Sequence, residues 1–233
     1  MYNPTHFQEP RIPVLHGLMR AYPFATLVTL TADGLAANHL PLVIDAEPGP
    51  LGTLRGHVAR ANPVWRTQLP EAEALAIFQG PHGYISPSLY PSKAEHGKVV
   101  PTWNYTAVHA AGPLRVIDDA AWLRAFVTRL TEIHEAALHE AAAHAAGRPA
   151  PWQVSDAPEA FIEQMLKAIV GIEIPIARLE GKRKQSQNRP PADRAGVVAG
   201  LSREPDPARH ALADAVAEAD RELALRAGDK PPA

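Results

Sequence analysis

Hydrophobic positions follow a helical period in some stretches of this chain and a strand period in others. From Ile12 to Tyr22 the apolar residues Val14, Leu15, Leu18 and Met19 fall at helical spacing, and Pro23 ends the run. Phe24 to Leu30 is β-branched and apolar and reads as a strand, with Ala32-Asp33-Gly34 as the turn after it. Residues 35–44 predict a second strand, in which Pro41 marks an edge or a break because proline donates nothing to a ladder. A third strand over 51–58 runs into a short helix at 59–69. A fourth covers 74–79, and a further one covers 105–116, interrupted at Gly112-Pro113. Asp118 or Asp119 can cap a helix that continues to about Ala146. Asp156 is the expected cap of another helix over 158–169, with Pro158 in its first turn. Residues 171–179 alternate again as a late strand, and Asp206-Pro207 opens an amphipathic helix to about Arg226. Strands dominate the first half and helices follow, which predicts an α+β fold with a barrel or strongly bent sheet.

Punctuation and composition narrow this picture. Twenty-four Pro and fifteen Gly cut the chain into short segments, which suits a β-rich domain better than a bundle. Gly147-Arg148-Pro149-Ala150-Pro151 and Arg189-Pro190-Pro191 read as boundaries. Of 233 residues 46% are hydrophobic, but 42 are Ala, enough for one core or a core with a helical appendage. Charged residues at 21% with a net charge of -2 exclude a fully disordered chain. No stretch approaches the ~20 apolar residues of a membrane span, and Met1-Tyr2-Asn3-Pro4 does not begin a secretory signal. The absence of Cys excludes disulfides, thiolate chemistry and Cys-ligated zinc, and a cytoplasmic location is expected. A pI near 6.6 argues against a strongly basic nucleic-acid surface and leaves room for a local patch.

The chain has no Gly-x-Gly-x-x-Gly, no Walker loop and no Gly-x-Ser-x-Gly elbow. His134 and His139 are five residues apart, a rotation of roughly 500° on a helix, which puts them ~140° from each other. They cannot share a metal on one straight helix, and no metal site is expected. Three clusters carry more chemistry. Gly56-His57-Val58-Ala59-Arg60-Ala61-Asn62-Pro63 lies where a strand turns into a helix, and reads as a phosphate corner or as a capped turn. Phe78 to Tyr90 and Val100 to Tyr105 are dense in Tyr, Trp and polar residues. They suit a flat aromatic ligand or a cluster closing one end of a barrel. Gly181-Lys182-Arg183-Lys184-Gln185-Ser186-Gln187-Asn188-Arg189 mixes four cations with four neutral polar groups, and reads as a ligand segment or a solvated loop.

Taken in order, these clusters resemble the PaiB family of FMN-binding negative transcriptional regulators. The resemblance adds Met1-Tyr2-Asn3-Pro4 with Phe7, and His39-Leu40-Pro41. It adds Tyr84-Ile85-Ser86-Pro87-Ser88 with Tyr90, Val100-Pro101-Thr102-Trp103-Asn104-Tyr105, and Lys184-Gln185-Ser186-Gln187-Asn188. It covers about residues 1–200, and Leu89 departs from it where the family pattern has Trp. It implies a pyridoxamine-phosphate-oxidase-like split β-barrel over 1–190, with a helical insertion at about 118–169 and a helical extension over 191–233. It also implies a homodimer with FMN at the subunit interface. Carried over by position, Asn38, His39, Leu40 and Pro41 would lie along the isoalloxazine and ribityl chain. His57, Arg60 and Asn62 would stand near the phosphate, and Trp103, Asn104, Tyr105, Ser186 and Gln187 would reach across from the partner subunit.

The function this implies is an FMN-binding regulator acting on DNA directly or through a regulatory protein partner. No helix-turn-helix signal and no positive net charge support direct DNA binding. The same barrel carries flavin reductases, pyridoxamine-phosphate oxidases and haem binders. A flavin-dependent oxidoreductase and a haem protein are therefore the alternatives. His39, His57 and His82 are the available acid/base groups, and none is committed to catalysis by its sequence context.

Overall fold

Strand β1 (Gln8–Glu9) leads into helix α1 (Ile12–Ala21), where Pro13 occupies the first turn and its missing N–H goes unneeded. These assignments come from a computed structural model, which describes residues 1–141 and 149–228. After Pro23 the hairpin β2 (Phe24–Thr31) and β3 (Gly34–Pro41) pairs antiparallel from Phe24↔Pro41 to Thr31↔Gly34. Gly34 turns it with φ +112°, a backbone region that side chains disfavour. The ladder stops at Pro41, where the N–H of Leu42 donates to the Pro23 carbonyl (2.9 Å), and the next strand, β4 (Val43–Asp45), belongs to a different sheet. The next strand is β5 (Thr53–Ala59). The helix expected over 59–69 contracts to one turn, α2 (Val64–Thr67), because Asn62 and Pro63 are spent on a turn closed by Asn62 N–H to the Ala59 carbonyl (2.9 Å).

Strand β6 (Glu73–Ile85) runs well past residue 79, where it was expected to end. Alternation shifts by one residue at Pro81: Gln79 is exposed and Gly80 buried, and beyond it His82 and Tyr84 are exposed and Gly83 and Ile85 buried. Helix α3 (Ser92–His96) and strands β7 (Thr102–Pro113) and β8 (Arg115–Ile117) follow. Helix α4 (Ala120–Ala141) is capped by Asp119, whose Oδ1 accepts the Trp122 N–H (2.7 Å). Its expected continuation to Ala146 and the boundary at Gly147-Arg148 lie outside the described residues. Helix α5 (Glu159–Lys167) is preceded by Pro158, and Asp156 does not cap it. The Asp156 carboxylate accepts the Gln153 N–H (2.9 Å) in a separate tight turn. Strand β9 (Ile169–Pro175) is the expected late strand. Strand β10 (Arg178–Lys184) and helix α6 (Pro191–Leu201) arise where a basic loop and a boundary were expected, and α7 (Pro207–Gly228) closes the chain. No described helix is long and apolar enough to cross a membrane.

The chain divides into two compact units. The first comprises Met1–Tyr22, Ile77–His109 and the chain from Leu179 onward, and its strands run in the order β1-β10-β7-β6. Ile85, Tyr90, Val197, Leu201, Leu212, Ala213 and Val216 form its apolar core under α6 and α7. Arg183 is buried and satisfied there by Glu9 (3.3 Å), Glu218 (3.0 Å) and Glu222 (3.1 Å), with Arg11 closing the cluster on Glu9 and Glu222.

The second unit comprises Pro23–Ala76 and Ala110–Arg178. It holds the β2–β3 hairpin and an antiparallel sheet in the order β4-β5-β9-β8, covered by α4 and α5 through Leu123, Ile162 and Leu166. Arg55 links three of its segments, donating to Asp45 (2.5 Å) and Glu173 (2.7 Å). Gly112 is required at the end of β7, since a Cβ there would stand 2.1 Å from the Pro175 carbonyl oxygen.

Candidate functional site

In the second unit the hairpin and the turn after β5 bring Asn38 and Asn62 together. Asn62 Nδ2 donates to Asn38 Oδ1 (2.7 Å), and Asn62 Oδ1 accepts the Val64 N–H (3.0 Å). Strand alternation places His39 outward, stacked at 6.3 Å on the exposed ring of Phe24, while Leu40 turns into the core and Pro41 ends the strand. His57 also leaves the turn. Its ring meets Phe126 of α4 edge-on at 5.9 Å, and burial holds it below the ordinary imidazole value. Arg60 is the most heavily engaged of the set. It donates from Nη1 and Nη2 to Asp118 (2.9 and 2.6 Å), from Nε to the Lys167 carbonyl (2.8 Å) and from Nη2 to the Ile169 carbonyl (3.0 Å). Of its five N–H groups one is left over. The corner expected for a phosphate is thus a cross-link from the end of β5 to α5, β9 and Asp118, the residue after β8.

In the first unit β7 sorts its residues by face. Trp103 and Tyr105 point to one side, with Trp103 half exposed, while Asn104 and Thr106 are buried on the other. Trp103 stacks on His82 at 6.4 Å and meets Tyr84 edge-on at 6.4 Å, so β6 and β7 present a continuous aromatic surface. On the buried side Asn104 Nδ2 donates to Ser186 Oγ (2.9 Å), and Gln185 Nε2 donates to Thr106 Oγ1 (2.9 Å). The amide oxygens of Asn104 and Gln185 have no protein partner. Ser186 holds φ +63°, an unusual value outside glycine. Gln187 folds back over it, accepting the Gln185 N–H (2.6 Å) and donating to the Arg183 carbonyl (2.5 Å). Gln185-Ser186-Gln187 is therefore a tight structural turn that docks on β7. The expected site residues form two clusters, one in each unit.

The sequence groups Lys182 and Lys184 with Arg183 and Arg189 in one basic segment, and β10 separates them. Lys182 and Lys184 lie on the face opposite Arg183 and beside the aromatic residues. Lys182 Nζ stands 5.1 Å from the Tyr105 ring centre and 5.5 Å from that of Tyr2, and donates to the Tyr2 carbonyl (2.9 Å). Lys184 donates to Thr102 Oγ1 (2.7 Å). Burial, then repulsion from Lys182 and Arg189, holds its ammonium below the ordinary lysine value, although Tyr105 works against this. A strand reading of Arg178 to Lys184 would have exposed the separation of Arg183 from its neighbours. Among the described residues no group of three His, Asp or Glu side chains could hold a metal ion.

The family described as "Putative FMN-binding domain" matches residues 1–178. An uncharacterized protein of Aspergillus fumigatus is 36% identical over 241 residues, covering 87% of this chain and 91% of its own. Protease synthase and sporulation protein PAI 2 of Bacillus subtilis is 31% identical over 214 residues, covering 92% and 95%. Among solved structures, the flavocytochrome Anf3 from Azotobacter vinelandii matches with a TM-score of 0.53 at 12% identity, over 76% of this chain and 69% of that one. The FAD and heme binding protein from Mycobacterium smegmatis matches with a TM-score of 0.53 at 15% identity, over 76% and 73%. At such identities the likeness concerns the fold alone, and that fold is the α+β split β-barrel.

Proposed function

The chain belongs to the PaiB-like FMN-binding domain family, and on that premise we propose that it binds FMN and works as a regulatory flavoprotein acting through a partner. The observation that carries this reading is the half-exposed Trp103 with His82 and Tyr84 on one sheet face. This is a flat aromatic surface with cations close by in β10. FMN needs a ring-sized apolar face, polar groups for the ring edge and ribityl chain, and cations for its phosphate. The side chains present fit those needs. Trp103 and Tyr105 offer ring faces, His82 and Tyr84 offer polar atoms beside Trp103, and Lys182 stands close to Tyr105. Bound flavin would supply one- or two-electron redox chemistry, which a regulator uses as a sensor and an oxidoreductase uses for turnover.

Regulation through a partner is favoured over direct DNA reading. Arg183, one of the four cations in the basic segment, is buried against Glu9, Glu218 and Glu222, and Arg209 of α7 is spent on Glu204 and the Tyr84 carbonyl. Chromatography of the ligand released from purified protein, against FMN, FAD and riboflavin standards, tests the reading. FMN is the expected result. Haem or FAD in its place, or a protein that binds no added FMN, would overturn it.

A further inference from the structure

We propose that Lys182 and Lys184 form an anion site beside Tyr105 that takes the phosphate group of a nucleotide-type ligand. The two side chains leave the same face of β10 two residues apart, roughly 6.6 Å along the strand. Lys182 is only 6% exposed. A cation so placed is costly unless something answers its charge. Arg183 between them shows the usual solution, since it points the other way onto three carboxylates. Neither lysine has a carboxylate partner among the described residues. Glu180, on the same strand face, is taken by the Met1 amino group (3.0 Å). Each ammonium has three donors and spends one, on the Tyr2 carbonyl or on Thr102 Oγ1.

The surroundings favour an incoming anion over a missing acid. Tyr105, Tyr2 and Phe7 place ring faces 5.1–6.0 Å from the two ammonium groups, which eases their charge without neutralising it. A phosphate would accept from the free donors and complete a charge-assisted network. It would also reverse the depression of Lys184, whose causes are burial first and then repulsion from Lys182 and Arg189. Arg60, the other cation near expected ligand residues, is held by Asp118 and two carbonyls. The Trp103 face lies on the neighbouring strand, so a ligand joining a flat ring to a phosphate meets both features. The nucleotide part of this inference rests on the FMN reading, whereas the anion site itself does not.

The test titrates FMN, riboflavin and inorganic phosphate into the full-length protein and into Lys182→Met, Lys184→Met, the double variant and Lys184→Arg. Loss of a charge-assisted hydrogen bond should weaken FMN about ten- to a hundredfold per lysine and leave riboflavin unchanged. Lys184→Arg should retain FMN. Phosphate should raise the melting temperature of the wild type and not that of the double variant. If the wild type binds neither flavin, the FMN reading falls, and phosphate stabilisation that depends on the lysines still upholds the site. Equal losses for FMN and riboflavin in variants with native circular dichroism would overturn the proposal. So would a wild type indifferent to phosphate, and that titration decides the matter even if a methionine variant fails to fold.

Discussion

Asn62 donates from Nδ2 to Asn38 Oδ1 at 2.7 Å while its own Oδ1 accepts the Val64 N–H at 3.0 Å. One side chain thus closes the turn after β5 and ties it to β3, so both amides are committed to a single orientation. Asn62→Ala removes two side-chain hydrogen bonds together and should cost about 1–2 kcal/mol. In a chain of this length that is a fall of roughly 2–8 °C in melting temperature. Calorimetry of the variant checks the value, and an unchanged midpoint would show the pair to be incidental.

Arg60 should behave as a structural residue. Its bidentate pair with Asp118 and its bonds to the Lys167 and Ile169 carbonyls hold β5, α5 and β9 together. Arg60→Ala is expected to lower the melting temperature and to weaken FMN and riboflavin by the same factor. Fluorescence titrations with both flavins decide it. A loss confined to FMN would return the phosphate to this corner.

Acid should destabilise the protein partly through His57. Burial against Phe126 keeps the folded ring below its ordinary value of 6.5, favouring the neutral form. The unfolded chain protonates near 6.5 and so binds the proton more readily. This residue therefore has no effect on stability well above that pH. Below it, stability falls with a slope of at most about 1.4 kcal/mol per pH unit while the folded ring stays neutral. His109, also depressed chiefly by burial, acts in the same direction. Between melts above and below pH 6.5 the wild type should lose more stability than His57→Phe. Parallel curves would assign the sensitivity to other groups.

A homodimer is expected in solution, because Tyr84 and Trp103 leave large aromatic area exposed on one face of the first unit. Light scattering should give twice 25.1 kDa at micromolar concentration, and Trp103→Arg should shift the population toward the monomer. A wild type that stays at the mass of one chain rejects this.

Duplex DNA should bind weakly and without sequence preference. With Arg183 paired internally, Lys182, Lys184 and Arg189 are the cations left in the basic segment. Three phosphate contacts would give a log–log salt slope of only about -2.7, with affinity in the 10⁻⁴–10⁻⁶ M range at physiological salt. Anisotropy titrations against the protein's own upstream region and a scrambled control measure both quantities. Nanomolar binding to the first alone would establish direct repression.

The periodic signals of the sequence determined most of the element list. The apolar spacing of α1, the alternation of β2 and β9, the break at Pro41 and the Asp119 cap are local properties, and a local pattern fixes them. The resemblance placed the chain in its family through short motifs in order. Tertiary structure decided what local pattern does not encode. Gly181 to Lys184 reads as part of a ligand segment or solvated loop, yet it completes the strand Arg178 to Lys184, whose Arg183 finds Glu9, Glu218 and Glu222, residues distant in the chain. Arg60 sits in a turn suited to a phosphate, yet Asp118 and the carbonyls of Lys167 and Ile169 occupy its donors. The lysines that flank Arg183 carry the same charge as it does. Only the alternation of β10 separates them, sending one cation to the carboxylates and leaving two beside the aromatic face.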